Sequence, residues 1–207
     1  MERLEAIEKL KLLTGKSLQE LANEHDITII NQNGRVNKGW AGHAIERYLE
    51  LPLNSAQAPN FGSWELKTIP LQYRNGRLTI KETMAITMID PINICQKEFE
   101  NSHLLSKLKK AVIVTRIVGQ TYQDSSVVHD IIEVNINEDT ELYQIIKADY
   151  NLVREALLNN NKNLNCLSGR MGQYIQPRTK GSGHGSNSRA FYARKILLQQ
   201  LINQNQS

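Results

Sequence analysis

The chain has 207 residues, 40% of them hydrophobic and 22% charged, with a formal net charge of +4 and a pI of about 9.0. That is the length and composition of a soluble globular protein with one core, and the mild basic excess suits a polyanionic partner. Two cysteines, Cys95 and Cys166, form no Cys-x-x-Cys pair, which excludes a cysteine zinc site and reads as two free buried thiols in a reducing compartment. The charged start Met1-Glu2-Arg3-Leu4-Glu5 lacks the apolar run of a signal peptide. No stretch approaches the roughly 18 apolar residues of a membrane helix, so a cytoplasmic location without membrane contact is expected.

Leu4, Ile7, Leu10, Leu12 and Leu13 fall near helical spacing over 4–13. Ser17, with Glu20 three residues on, reads as a capping box for a short helix over about 17–24. Trp40, Ala44, Ile45 and Leu49 mark a helix over about 38–50, with Trp40 on its core face. A connector over 52–59 leads to a strand at Trp64-Glu65-Leu66-Lys67-Thr68-Ile69. Asn75-Gly76 is a hairpin turn signal ahead of Leu78-Thr79-Ile80, and Met84 to Ile89 continues the meander. Residues 101–108 read as helix, 111–118 and 127–136 as strands, and Leu142, Ile145, Ile146, Val153 and Leu157 as an amphipathic helix over about 138–158. A polar turn at 159–165, a Gly/Ser loop at 181–188 carrying His184, and a helix over about 193–203 complete the chain. The order argues for an α+β fold with a mixed β-sheet core flanked by helices. One domain over 1–207 is expected, with lobes at 1–158 (catalytic) and 166–207 (DNA recognition).

The chemistry centres on Glu65-Leu66-Lys67. Period two puts Glu65 and Lys67 on one strand face and Leu66 on the other. Phosphodiester hydrolysis needs a divalent metal to neutralise developing charge and a deprotonated water to attack. A carboxylate can hold the metal, and a neighbouring ammonium can orient the hydroxide. By itself a Glu-x-Lys pair is most often a solvated ion pair. Three neighbours in the sequence add weight: Glu46 on the preceding helix, Asn60-Phe61 just upstream, and the basic run Ser102-His103-Leu104-Leu105-Ser106-Lys107-Leu108-Lys109 downstream. Lys107, Lys109 and Lys110 read as an exposed basic face.

These blocks, with Lys38-Gly39-Trp40-Ala41-Gly42, Glu65-Leu66-Lys67-Thr68-Ile69-Pro70, Glu82-Thr83, Gly172-Gln173-Tyr174-Ile175-Gln176-Pro177-Arg178-Thr179-Lys180 and Phe191-Tyr192-Ala193-Arg194-Lys195, resemble in order the MutH and GATC-cutting restriction-enzyme family. The resemblance implies a PD-(D/E)xK restriction-endonuclease-like fold with a DNA-binding cleft. It implies a sequence-specific, metal-dependent endonuclease on double-stranded DNA, using Mg²⁺, with Mn²⁺ as a substitute. Glu65, the Asn60 position and the Leu66 carbonyl would bind metal, Lys67 would be the catalytic lysine, Glu46 an accessory carboxylate, and Lys107 would lie near the scissile phosphate. Lys38, Lys107, Lys109, Arg178, Lys180, Arg189, Tyr192 and Arg194 would face DNA, with Lys180 and Tyr192 reading bases.

One metal site per chain implies a homodimer for cutting both strands. A monomeric mismatch-repair nickase, or a DNA-binding protein with an inactive site, are the alternatives. The last is suggested by Asn60, which stands where the family has Asp. The segment from Asn60 to Glu65 is two residues shorter than in MutH, and Ala85 replaces an apolar aromatic of the family. No Asp lies between Asp26 and Asp90, so none nearby replaces the missing carboxylate.

Overall fold

A computed structural model describes residues 1–51, 64–119, 125–181 and 187–205. In chain order the elements are α1 (Arg3–Lys11), α2 (Leu18–Glu24), α3 (Trp40–Tyr48), β1 (Glu65–Arg74), β2 (Arg77–Ile80), β3 (Met84–Met88), α4 (Pro91–Gln96), α5 (His103–Leu108), β4 (Ala111–Val118), β5 (Ser126–Glu133), α6 (Glu141–Asn159), β6 (Ile175–Thr179), β7 (Arg189–Ala193) and α7 (Lys195–Asn205). They form two compact units. The first holds the described residues among 1–56, 60–82 and 111–133; the second holds those among 83–110 and 134–207.

The first unit is a mixed sheet, ordered β2-β1-β4-β5, with three helices. Its parallel pair is β1 with β4, registered Glu65 to Ala111 and Lys67 to Ile113. A parallel pair needs a long connection, and here residues 75–110 supply it. Leu66, Val112, Val114, Val128 and Ile131 pack with Ala6, Ile7, Leu10, Leu18, Trp40 and Ile45 in one core. Leu66 therefore points into the core, and Glu65 and Lys67 occupy the opposite face of β1. The Ser17 side chain caps α2, accepting from the Glu20 amide at 3.4 Å. Helix α1 ends at Lys11 and buries Ala6, Ile7 and Leu10, while Leu4 and Leu12 are exposed. The apolar stripe is thus narrower than the leucine spacing implies.

The second unit holds an antiparallel sheet ordered β3-β7-β6. Strand β3 leaves the β1–β2 hairpin for this separate sheet, so the expected continuous meander is not formed. Strands β6 and β7 lie where the sequence reading assigned no strand. Pro177 and the polar Gln176, Arg178 and Thr179 obscure β6, which is an edge strand, the place where a proline is tolerated. Helix α4 was also unassigned, although Asp90 caps it, accepting from the Ile92 and Asn93 amides, with Pro91 at its first position. On α6 the Thr140 hydroxyl caps the start. Tyr143 and Tyr150 meet Phe99 at ring separations of 5.2 and 5.6 Å, and Tyr150 meets Phe191 at 5.9 Å. Burial pushes the Tyr150 phenol up to about 12, and its hydroxyl donates to the Lys97 carbonyl at 2.9 Å.

Both cysteines are free; Cys95 is buried and Cys166 half-buried. Among the described residues no helix is long and apolar enough to cross a membrane.

Candidate active site

Helix α3 begins where the Asn37 side chain accepts from the Gly39 amide at 3.2 Å and donates to the Thr28 carbonyl at 3.2 Å. Trp40 follows, 5% exposed, with the Arg116 guanidinium 5.6 Å from its ring centroid. Trp40 is thus a core residue, as its helix face implied. Glu46 lies on the same helix and is half-buried.

Two residues apart on β1, Lys67 Nζ donates to Glu65 Oε1 at 2.6 Å. The Glu65 side chain is fully buried, while that of Lys67 keeps 20% of its surface exposed. A buried carboxylate is tolerated when paired and hydrogen-bonded, which accounts for the contact. Glu46 belongs to the same cluster. Burial raises its pKa, His43 and Lys67 oppose the rise, and the Glu65 carboxylate adds to it. Two carboxylates and an ammonium therefore share one electrostatic environment. Strand β2 pairs with β1 only from Leu71 onward, so among the described residues Glu65 to Ile69 have a ladder partner on the β4 side alone.

Asn60 lies outside the described residues, as does His184. Among the described residues, no three His, Cys, Asp or Glu side chains are gathered to hold a metal. Glu46 and Glu65 do fit a hard divalent cation in kind. Both offer carboxylate oxygens, the donors such ions prefer, and a cation would favour the charged form of Glu46 that burial first, and Glu65 after it, disfavours.

In the second unit, Ser102 caps α5, accepting from the Leu105 amide at 3.1 Å. Lys107 is buried at 7% exposure, contrary to the exposed basic face expected for it. It sits beside His103, whose pKa is lowered by burial first, then by Lys97 and Lys107, with Asp90 opposing. Lys109 pairs with Glu138 at 3.5 Å.

The Arg178 guanidinium lies 5.4 Å from the Tyr192 ring centroid and donates to Thr83 Oγ1 at 2.8 Å. Three residues from separated parts of the sequence, Thr83, Arg178 and Tyr192, thus converge on one sheet face. Lys180 is exposed just past β6, where its backbone amide donates to the Ser188 carbonyl, and Arg189 opens β7 opposite Thr179. Lys38, in the first unit, is exposed ahead of α3.

Arg194 takes a role that spacing did not reveal. Its Nε donates to the Gly172 carbonyl at 3.1 Å, and its Nη2 to the carbonyls of Gly169 at 2.8 Å and Met171 at 3.1 Å. The same loop is held from its other side by Asp149, a buried carboxylate on α6. Asp149 accepts from the amides of Gln173 at 2.7 Å, Tyr174 at 2.6 Å and Ile175 at 2.7 Å. Gly172 has a φ of +75°, and a Cβ there would meet the Ile175 carbonyl at 1.9 Å, so only glycine fits. Asp149 was missed by the sequence reading; its signal is an Asp between Ile146 and Val153 on the apolar stripe of α6.

With this geometry in place, comparison with known proteins defines the class. The model of the DNA mismatch repair enzyme MutH family matches residues 49–154. The chain belongs to that family. It is 26% identical to the DNA mismatch repair protein MutH of Vibrio campbellii over 96% of this chain and 92% of that protein. It is 24% identical to the type II restriction enzyme Sau3AI of Staphylococcus aureus over 86% of this chain, but spans only 35% of that enzyme's length. A complex of restriction endonuclease MvaI with its cognate DNA covers 89% of this chain and 92% of that one at a TM-score of 0.36 and 12% identity, too loose a likeness to carry a conclusion.

Proposed function

We propose that this chain is a sequence-specific, metal-dependent endonuclease on double-stranded DNA, cutting both strands as a homodimer. The observation that carries the reading is the Glu65–Lys67 contact at 2.6 Å with Glu46 beside it, in a chain of the MutH family. A divalent cation such as Mg²⁺, or Mn²⁺ in its place, supplies Lewis acidity and lowers the pKa of water when bound. Glu65, with the Leu66 carbonyl and Asn60, would hold it. Lys67 holds Glu65 in place and presents a positive charge where a hydroxide and a phosphate must approach each other. Glu46 keeps its proton to higher pH than an ordinary glutamate and is suited to exchange one with water at the site. Lys107 would act near the scissile phosphate. Lys38, Lys109, Arg178, Lys180, Arg189 and Tyr192 would face DNA, with Arg194 supporting them through the 169–172 loop.

The second reading is a MutH-like nickase acting as a monomer. It is favoured by the family match, since the MutH model covers residues 49–154 and the chain is 26% identical to the Vibrio campbellii MutH. Supercoiled plasmid with Mg²⁺ separates the two readings. Direct conversion to linear product supports two-strand cutting, and accumulation of open circles supports nicking. Intact plasmid with both Mg²⁺ and Mn²⁺, under conditions where DNA is bound, would overturn both.

A further inference from the structure

The tip of the β1–β2 hairpin, in the first unit, carries a charge arrangement that the fold does not need. Its turn, Asn75-Gly76, has φ values of +52° and +73°, the two-residue geometry that matches strand twist. Arg74 and Arg77 are therefore held on strand ends rather than on a loop. The register sets them directly opposite each other, where like charges destabilise a hairpin. Residues 70–81 contain no Asp or Glu, and neither arginine has an ion-pair partner among the described residues. Both are exposed, Tyr73 beside them is 66% exposed, and Lys81 just beyond is exposed as well.

A pair placed against its own repulsion on a rigid turn is a local rule broken, and such breaks mark sites where a ligand compensates. Arginine's planar fork matches phosphate oxygens in a bidentate way. We propose that Arg74 and Arg77 bind the phosphate backbone of duplex DNA outside the segment held at Glu65 and Lys67. This rests on the endonuclease reading above. Strand β1 rises about 3.3 Å per residue, so the seven positions from Lys67 to Arg74 span about 23 Å. On a duplex lying along β1 that is about 7 base pairs at ~3.4 Å each, so the contact would fall on flanking DNA.

The test compares wild type with Arg74→Ala/Arg77→Ala for binding to duplexes of about 10 and about 30 base pairs across a salt series in EDTA. On the longer duplex the double variant should bind more weakly, with a log–log salt slope shallower by about 1.8 for two lost phosphate contacts. On the shorter duplex the two proteins should match, and Arg74→Lys/Arg77→Lys should keep the wild-type slope on both. With the repulsion gone, the alanine variant should melt at or above the wild-type temperature. An unchanged slope on the longer duplex, with wild type still binding, would overturn this proposal and leave the endonuclease reading standing. So would equal loss on both lengths, or a lowered melting temperature. Wild type binding neither duplex would overturn the endonuclease reading and this contact together.

Discussion

Lys67 Nζ donates to Glu65 Oε1 at 2.6 Å, joining a carboxylate with no exposed surface to an ammonium that still reaches solvent. On the proposed reading the pair would serve stability and chemistry at once, and the two roles would separate by mutation. Lys67→Ala leaves Glu65 buried without this donor and should destabilise the fold by about 1–3 kcal/mol. Cleavage should fall by ~10²-fold or more, the scale of losing one key electrostatic group. Lys67→Met with Glu65→Gln removes both charges together and should recover most of the stability while staying inactive. Denaturation midpoints and plasmid cleavage on the three variants measure the separation. Full activity in Lys67→Ala would remove the pair from the active site.

Asp149 gives a prediction about architecture. Its carboxylate satisfies three amides, those of Gln173, Tyr174 and Ile175. Asp149→Ala leaves these donors without their acceptor, at a cost of about 3 kcal/mol or more, since each buried unsatisfied group costs about 1–3 kcal/mol. Hydrogen exchange should show protection lost first at residues 173–175. Asp149→Asn keeps one oxygen acceptor and should fall between alanine and wild type. Protection unchanged in Asp149→Ala would mean the loop is held by Arg194 alone.

What the sequence disclosed was local. The Ser17 cap, the Asn75-Gly76 turn and the alternation that sends Leu66 inward while Glu65 and Lys67 face the other way all depend on residues within four positions of each other. What it concealed was pairing at long range. Nothing in Met84-Ala85-Ile86-Thr87-Met88 says that its partner is β7, more than 100 residues on. In β6 the buried Ile175, Gln176 and Pro177 are consecutive, so alternation is lost. Spacing placed Arg194 among the DNA-facing cations but could not show the three carbonyls it meets. The grouping of Glu46 with Glu65 and Lys67 was legible because a family pattern tied them together across the chain; spacing alone could not have done so.

Arg178 is stacked at Tyr192, and Lys180, just past the same strand, is exposed as well. A Lys there can donate to a purine edge in the major groove. Lys180→Ala should reduce discrimination between cognate and non-cognate duplexes by roughly 1–3 kcal/mol with little loss of non-specific affinity. Equal weakening on both duplexes would make Lys180 a phosphate contact instead.

On the proposed reading, Glu46 and Asn60 would together decide how the site manages charge. The Glu46 pKa is raised, by burial first, with Glu65 adding to it. The folded state therefore binds its proton more tightly than the unfolded chain does. Between the unfolded and folded pKa values the native state holds the extra proton, so this residue's contribution to stability falls as pH rises through that window. Glu46→Gln removes the penalty. Its melting temperature should exceed wild type at neutral pH, with the gain vanishing in acid below the ordinary glutamate range. If Glu46 also helps hold the metal, in place of the carboxylate that Asn60 lacks, Glu46→Gln should be inactive and Asn60→Asp should change little. If instead the amide at position 60 limits catalysis, because a neutral oxygen is a poorer ligand for a hard cation, Asn60→Asp should raise Mg²⁺-dependent plasmid cleavage by ~10²-fold or more. Silence of both variants in that assay would show that the metal is held elsewhere. A Glu46→Gln variant less stable than wild type at neutral pH would show that its carboxylate is favourably paired rather than strained.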